Sequence, residues 1–121
     1  MGHRVHELVR ALELAPHPEG GWYREVFRAA RSVDPLDGRP RRSALTAVYY
    51  LLAAGQRSHW HRVDATEIWH HYAGDPLLLR VHDGGGPTVE IRLGPALARG
   101  EVPQAVVPER AWQAAEPTGG W

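Results

Sequence analysis

The sequence predicts an all-β fold, a set of short strands closed into a sandwich or barrel behind one short N-terminal helix. Two observations carry that prediction. Thirteen glycines and ten prolines are scattered along 121 residues, about a fifth of the chain against an average near 12%, so turns recur throughout. Between the turns lie short runs rich in Val, Thr, Tyr and Trp, the residue types that suit a pleated, half-buried surface.

The helix comes first. Val5, Leu8, Val9 and Leu12 recur at helical spacing and Pro16 stops the pattern, so this segment is expected to pack against the outside of the fold. From Gly20 the period changes. Gly21 to Ala29, with Trp22, Tyr23, Val26 and Phe27, reads as a strand, and the polar tract Arg31 to Arg42, broken by Pro35, Asp37-Gly38 and Pro40, reads as a mobile loop. Ala44 to Leu52 is nearly continuously apolar, as expected of a strand covered on both faces. Further strands are expected at Ser58 to Val63, Thr66 to Tyr72, Leu77 to His82, Thr88 to Leu93, Gln104 to Val107 and Trp112 to Ala115. Turns at Gly55, Gly74-Asp75-Pro76, Asp83-Gly84-Gly85-Gly86 and Gly94-Pro95 separate several of them. No repeat, low-complexity tract or linker divides the chain, so one domain over residues 1–121 is expected.

Composition excludes several function classes. Fourteen basic residues balance fourteen acidic ones, so the broad positive field that nucleic acid or an anionic membrane requires is not expected. The absence of cysteine removes disulfides and thiolate metal sites and fits a reducing compartment. No apolar run approaches the length that crosses a bilayer, and the N-terminal residues lack a signal-peptide core. A soluble cytoplasmic protein with a small-molecule partner is therefore expected.

The chemistry concentrates between Gly55 and Gly74. In His59-Trp60-His61 the two imidazoles are two residues apart, so on a regular strand both project from one face. Six residues on, Glu67 begins a second strand after the turn-like Asp64-Ala65, and an antiparallel return would set its carboxylate opposite the histidines. Two imidazoles and a carboxylate are a common ligand set for one divalent ion, Fe, Mn, Ni or Zn. The same groups in a polar interior also suit direct hydrogen bonding to an organic ligand. Trp69 and His71 share the face of Glu67 and would line the same cavity, with Trp69 placed to stack on a sugar or base ring, while Ile68, His70 and Tyr72 face the other way.

Other residues carry weaker signals. Arg24, Arg28 and Arg57 are candidates for holding a ligand carboxylate or phosphate. Of the adjacent Tyr49 and Tyr50, one is expected to face inward. His17, in a Pro-rich turn, reads as structural, and His3 and His6 as helix-surface residues.

The residues also carry a family resemblance. Gly55-(x3)-His59-x-His61-(x5)-Glu67-(x6)-Gly74 resembles the first cupin motif, and Gly100 to Gln113, with Pro108, resembles a degraded second one. The blocks from Leu14 to Glu25, Ala47 to Leu52, Trp60 to Val63, Glu67 to Leu77, Gly100 to Gln104 and Val107 to Ala115 resemble the DUF985, or cupin-5, family across nearly the whole chain. The resemblance implies a double-stranded β-helix, or jelly-roll barrel, similar to nucleotide-sugar epimerases of the RmlC type and usually dimeric. Gln113 stands where metal-binding cupins put a fourth ligand, so the implied metal set is His59, His61, Glu67 and Gln113, with Gln113 also a candidate ligand-binding residue. Arg110 replaces that motif's usual glycine. Family members continue beyond Gly119-Gly120-Trp121, which implies an unpaired edge and a homodimer.

Three functional readings follow. In the first, the barrel binds a small polar metabolite such as a sugar or nucleotide sugar and isomerises or epimerises it. Glu67 or His61 removes a proton, His59 or a metal holds the enolate, and Tyr49 or Tyr72 returns the proton. In the second, the metal set makes an oxygenase or hydrolase. In the third, the barrel is a ligand-binding sensor module without turnover.

Overall fold

The structure is a computed structural model and describes residues 2–121. It is the predicted all-β sandwich with one helix. Helix α1 (His3–Ala11) buries Val5 against Leu14, Leu51 and Ala53, with Leu8, Val9, Leu12, Trp22 and Trp121 packed around them. Glu13 ends it in a left-handed conformation (φ 55°), and the Leu14 amide donates back to the Val9 carbonyl at 2.9 Å, so the stop precedes Pro16.

Strands β1 (Ala15–Pro16), β2 (Trp22–Arg28), β3 (Ser32–Val33), β4 (Arg42–Ser43), β5 (Thr46–Leu51), β6 (Ser58–Arg62), β7 (Glu67–His70), β8 (Leu77–His82), β9 (Val89–Leu93), β10 (Gln104–Val107) and β11 (Trp112–Pro117) follow in order. A four-stranded wall runs β6-β11-β8-β9; β7 pairs with β10, and β1-β2-β5 form a third sheet. Every paired strand is antiparallel. Between the walls sits a core of Leu52, Leu79, Leu93, Val107, Ala111 and Ala115, onto which Tyr50 and Trp69 pack. Alternation with outward-facing neighbours, the signature of strands buried on one side, is clear at Glu67 to Tyr72 and Gln104 to Val107, while Leu51 to Ala53 and Gln113 to Ala115 are buried without a break.

Three expectations change. The tract Arg31 to Arg42 is not a free excursion, because β3 and β4 pair within and beside it. Arg42 holds Asp64 at 2.6 Å, and Arg39 holds Glu109 at 2.8 Å. Each guanidinium has its pKa raised, Arg39 first by its hydrogen bond to Asp37 and then by that to Glu109, Arg42 first by its hydrogen bond to Asp64. Ala44 to Leu52 is not covered on both faces. Leu51 and Leu52 are buried, but Leu45 and Val48 remain 60% and 51% exposed, because β5 pairs only with β2 and just its C-terminal end reaches the helix. Finally, β6 and β7 are not a hairpin: β6 pairs with β11 and β7 with β10. The chain crosses between walls at residues 63–66, so Glu67 faces the histidine strand across the interior instead of lying beside it.

Candidate functional site

Gln113 sits at the centre of a polar cluster between the walls. Its neighbours on the inner face of β11 are Ala111 and Ala115, and its own side chain is fully buried. The amide oxygen accepts the Trp69 indole N–H at 2.9 Å, and the amide nitrogen donates to Glu67 Oε2 at 3.1 Å. An indole only donates and a carboxylate only accepts, so these two neighbours fix which way the amide points. The bond to Glu67 is charge-assisted and holds Oε2 of that carboxylate in place while the residue stays half-buried.

His61 lies opposite Gln113 in the β6–β11 register. Its Nδ1 lies 2.8 Å from the His59 carbonyl oxygen. A carbonyl only accepts, so that nitrogen carries the proton, and in the neutral ring Nε2 is a bare acceptor. His17 has the opposite tautomer. Its Nδ1 accepts the Glu19 backbone N–H at 2.9 Å, which leaves the proton on Nε2. The ring meets Tyr23 edge-on at 4.6 Å and Tyr50 at 5.0 Å. Burial lowers the His17 pKa; the His61 charge lowers it further, while Glu19 and Glu67 act the other way. His17 meets Tyr50, Tyr50 meets Trp69, and Trp69 is bonded to the Gln113 amide that also holds Glu67 and lies opposite His61, so a chain of contacts links the three groups.

Tyr50 completes the cluster. Its hydroxyl donates to the Gly20 carbonyl, and its ring meets Trp69 at 5.6 Å. Burial raises its pKa, the Ser58 hydroxyl pulls it back, and Glu19 and Glu67 add to the rise. Ser58 is itself buried, with no hydrogen-bond partner of good geometry, so it is available to a group that enters.

The predicted residues divide. Glu67, Trp69, His61 and Gln113 converge. His71 keeps to the face of Glu67 as expected and is half-buried, but its Nε2 turns to the Asp75 carbonyl at 3.2 Å. His59 falls out of step with His61. Ser58 pairs with Ala115 and His61 with Gln113, so β6 holds one residue more than β11 over that stretch. The bulge breaks the alternation that would have aimed both imidazoles one way, and His59 is left exposed beside Arg80 and Glu116. Arg24 and Tyr49 are register partners, flanked by the inward pair Tyr23 and Tyr50; they point outward, with Arg24 bound to Glu13 at 3.1 Å. Tyr72 is 83% exposed and stacks on His70 outside the sheet. Arg28 pairs with Glu25 at 2.6 Å, and Arg57 is exposed.

The residues present do not fit the implied metal. Among the described residues no three His, Asp or Glu side chains lie close enough to share an ion. His59 is turned away by the bulge, and the one coordinating atom of Gln113 is engaged by Trp69.

His17, Tyr23, Tyr50 and Ser58 belong to the cluster although sequence reasoning gave His17 only a structural role. The available signal was Gly20-Gly21. A side chain at Gly20 would collide with the Arg57 carbonyl, and one at Gly21 would come within 2.7 Å of the Leu51 carbonyl, so the glycines let the His17 turn lie flat on β6 and β5.

The family described as Cupin superfamily (DUF985) matches residues 6–121. The chain is a DUF985 cupin. A hypothetical protein from Leishmania major has a solved structure that superposes on this cupin with a TM-score of 0.85 at 36% identity, covering 92% of this chain and 68% of that one. The X-ray structure of a protein from Shewanella oneidensis superposes with a TM-score of 0.85 at 33% identity, covering 94% of this chain and 69% of that one. Among curated proteins none matches. Among the described residues no helix of this cupin is long and apolar enough to cross a membrane.

Proposed function

We propose that this cupin binds a small polar metabolite, sugar-like and carrying a carbonyl, between its walls and moves a proton on it as an isomerase or epimerase. One observation carries the reading: two imidazoles in opposite tautomers, His61 with a bare Nε2 and His17 with an Nε2–H, linked to the anchored Glu67 through Tyr50, Trp69 and Gln113. His61 Nε2 takes the proton from the carbon next to the carbonyl, the electron pair moves into the enolate, and the His17 N–H holds the enolate oxygen. The charge that develops on His61 is stabilised by Glu67. For isomerisation the His17 N–H protonates the enolate oxygen, takes back the proton of the hydroxyl on the carbon that His61 deprotonated, and His61 returns its proton to the former carbonyl carbon. For epimerisation water protonates the opposite face of the deprotonated carbon and His61 releases its proton to solvent. Trp69 offers an apolar wall on which the ring stacks.

The test is incubation with keto-sugars and their nucleotide conjugates in deuterated water, read by proton NMR. Deuterium is expected at the carbon next to the carbonyl, with His61→Gln slowing the exchange by a factor of about 10²–10⁴. Binding without exchange at any carbon would refute the reaction and leave a sensor module; exchange abolished by a chelator would restore a metal. The protein is further proposed to act as a homodimer, supported by the exposed Val26 and Phe27 on β2 and Leu45 just before β5, an apolar group larger than isolated surface residues make.

A further inference from the structure

The outer face of the β6-β11-β8-β9 wall carries a second arrangement, with its back to the polar cluster. Trp60, Trp112, His82 and Thr88 line an open hollow of about 200 Å³. Trp112 is the register partner of Arg62 on one side and of His82 on the other. Trp60 and Trp112 remain 47% and 39% exposed, although tryptophan is on average highly buried. Two neighbouring indoles left open on one sheet face form a stacking platform.

The polar rim of this hollow is made of donors. The Arg62 guanidinium lies over the Trp112 ring at 5.0 Å and makes no ion pair among the described residues. His82 Nδ1 is enclosed without a hydrogen-bond partner. A buried N–H with no acceptor is costly, so the proton of the neutral ring sits on Nε2, on the edge left to the hollow. Thr88 adds a hydroxyl, and no carboxylate lines the space. The volume falls below the roughly 300–1,000 Å³ of sites for drug-sized ligands, which limits the occupant to one ring.

We propose that this face binds a uronate, a pyranose with an apolar C–H face, a hydroxyl rim and a carboxylate. The C–H face lies on Trp60, and the carboxylate meets Arg62 and the His82 N–H. The same unit is available as a free sugar or as the end of a glycan.

Titration of tryptophan fluorescence with glucuronate is expected to give a Kd on the order of 1 mM, the scale for one small ring on an open face. Glucose is expected to bind at least tenfold more weakly, for want of the carboxylate. Trp60→Ala should weaken glucuronate at least tenfold, followed by ligand-observed NMR, and Arg62→Met should erase the preference over glucose; both residues are exposed, and an unchanged urea midpoint checks their fold. A glucuronate-capped oligosaccharide that binds better than the monosaccharide identifies the glycan as the source, and equal affinity identifies the free sugar. Equal binding of glucose, equal binding of benzoate, an unaffected Trp60→Ala protein, or loss of glucuronate affinity in His61→Gln would each overturn the proposal. So would ultracentrifugation showing that Trp60→Ala dissociates a dimer, which would make this face a contact between copies.

Discussion

Replacing Gln113 with leucine tests whether the interior cluster is a connected network. Leucine has a similar volume and no polar atoms, so packing around Ala111 and Ala115 is retained. Two groups lose a partner: the Glu67 carboxylate, whose bond to the amide measures 3.1 Å, and the Trp69 indole N–H at 2.9 Å. A hydrogen bond to a charged group contributes about 1.5–3 kcal/mol and a neutral one about 0.5–1.5. Because Glu67 and Trp69 are only half-buried, water repairs part of the loss, and the expected destabilisation is about 2–3 kcal/mol. Against the roughly 6–18 kcal/mol expected for a domain of this length, that is measurable. Urea unfolding followed by tryptophan fluorescence should show a lower midpoint at unchanged slope. The double variant Gln113→Leu/Glu67→Met, which also removes the stranded carboxylate, should recover about 1 kcal/mol or more of that loss. A Gln113→Leu protein as stable as the parent, or two substitutions whose effects simply add, would refute the network.

Three further outcomes are expected. Because burial holds the His17 pKa below its ordinary value of 6.5, the unfolded chain binds the proton more readily; the neutral-His17 contribution is complete above pH 6.5 and is lost as pH falls from there through the folded pKa. Urea midpoints should therefore drop on acidification through that window, and less steeply in His17→Asn. Arg110 occupies a left-handed conformation, φ 68°, so Arg110→Gly should stabilise by about 0.5–1 kcal/mol after the entropy of glycine is subtracted, raising Tm by about 2–4 °C in calorimetry. Phe27→Glu places a charge on the outward apolar face of β2, where the residue is 52% exposed, and should shift sedimentation of the proposed dimer to monomer with little change in fold; an unaltered sedimentation profile would exclude that face as the contact.

Much of this architecture is legible in the sequence, and the part that is not has physical reasons. Turn residues and alternation place Leu77 to His82 and Gln104 to Val107 with the boundaries the structure has, and strand parity puts Glu67, Trp69 and His71 inward with Ile68, His70 and Tyr72 outward. Parity fails at His59, because a bulge adds one residue without any composition signal. Pairing fails at β6 and β7, because a tight Asp64-Ala65 connection suits a hairpin as well as a crossing between walls. The role of His17 is hidden for a related reason. Its position depends on a glycine turn pressed onto strands far along the chain, a contact that local pattern does not encode.

The crossing at residues 63–66 has a consequence for how such a protein evolves. His61 and Glu67 are close in the chain, yet they stand on strands of different sheets, and the gap between them owes little to the five residues that separate them. Lengthening that connection should leave the gap alone. Swapping a core alanine such as Ala115 for a bulkier residue should widen it, so under the proposed function the breadth of substrate admitted is set by hydrophobic side chains that never touch the substrate.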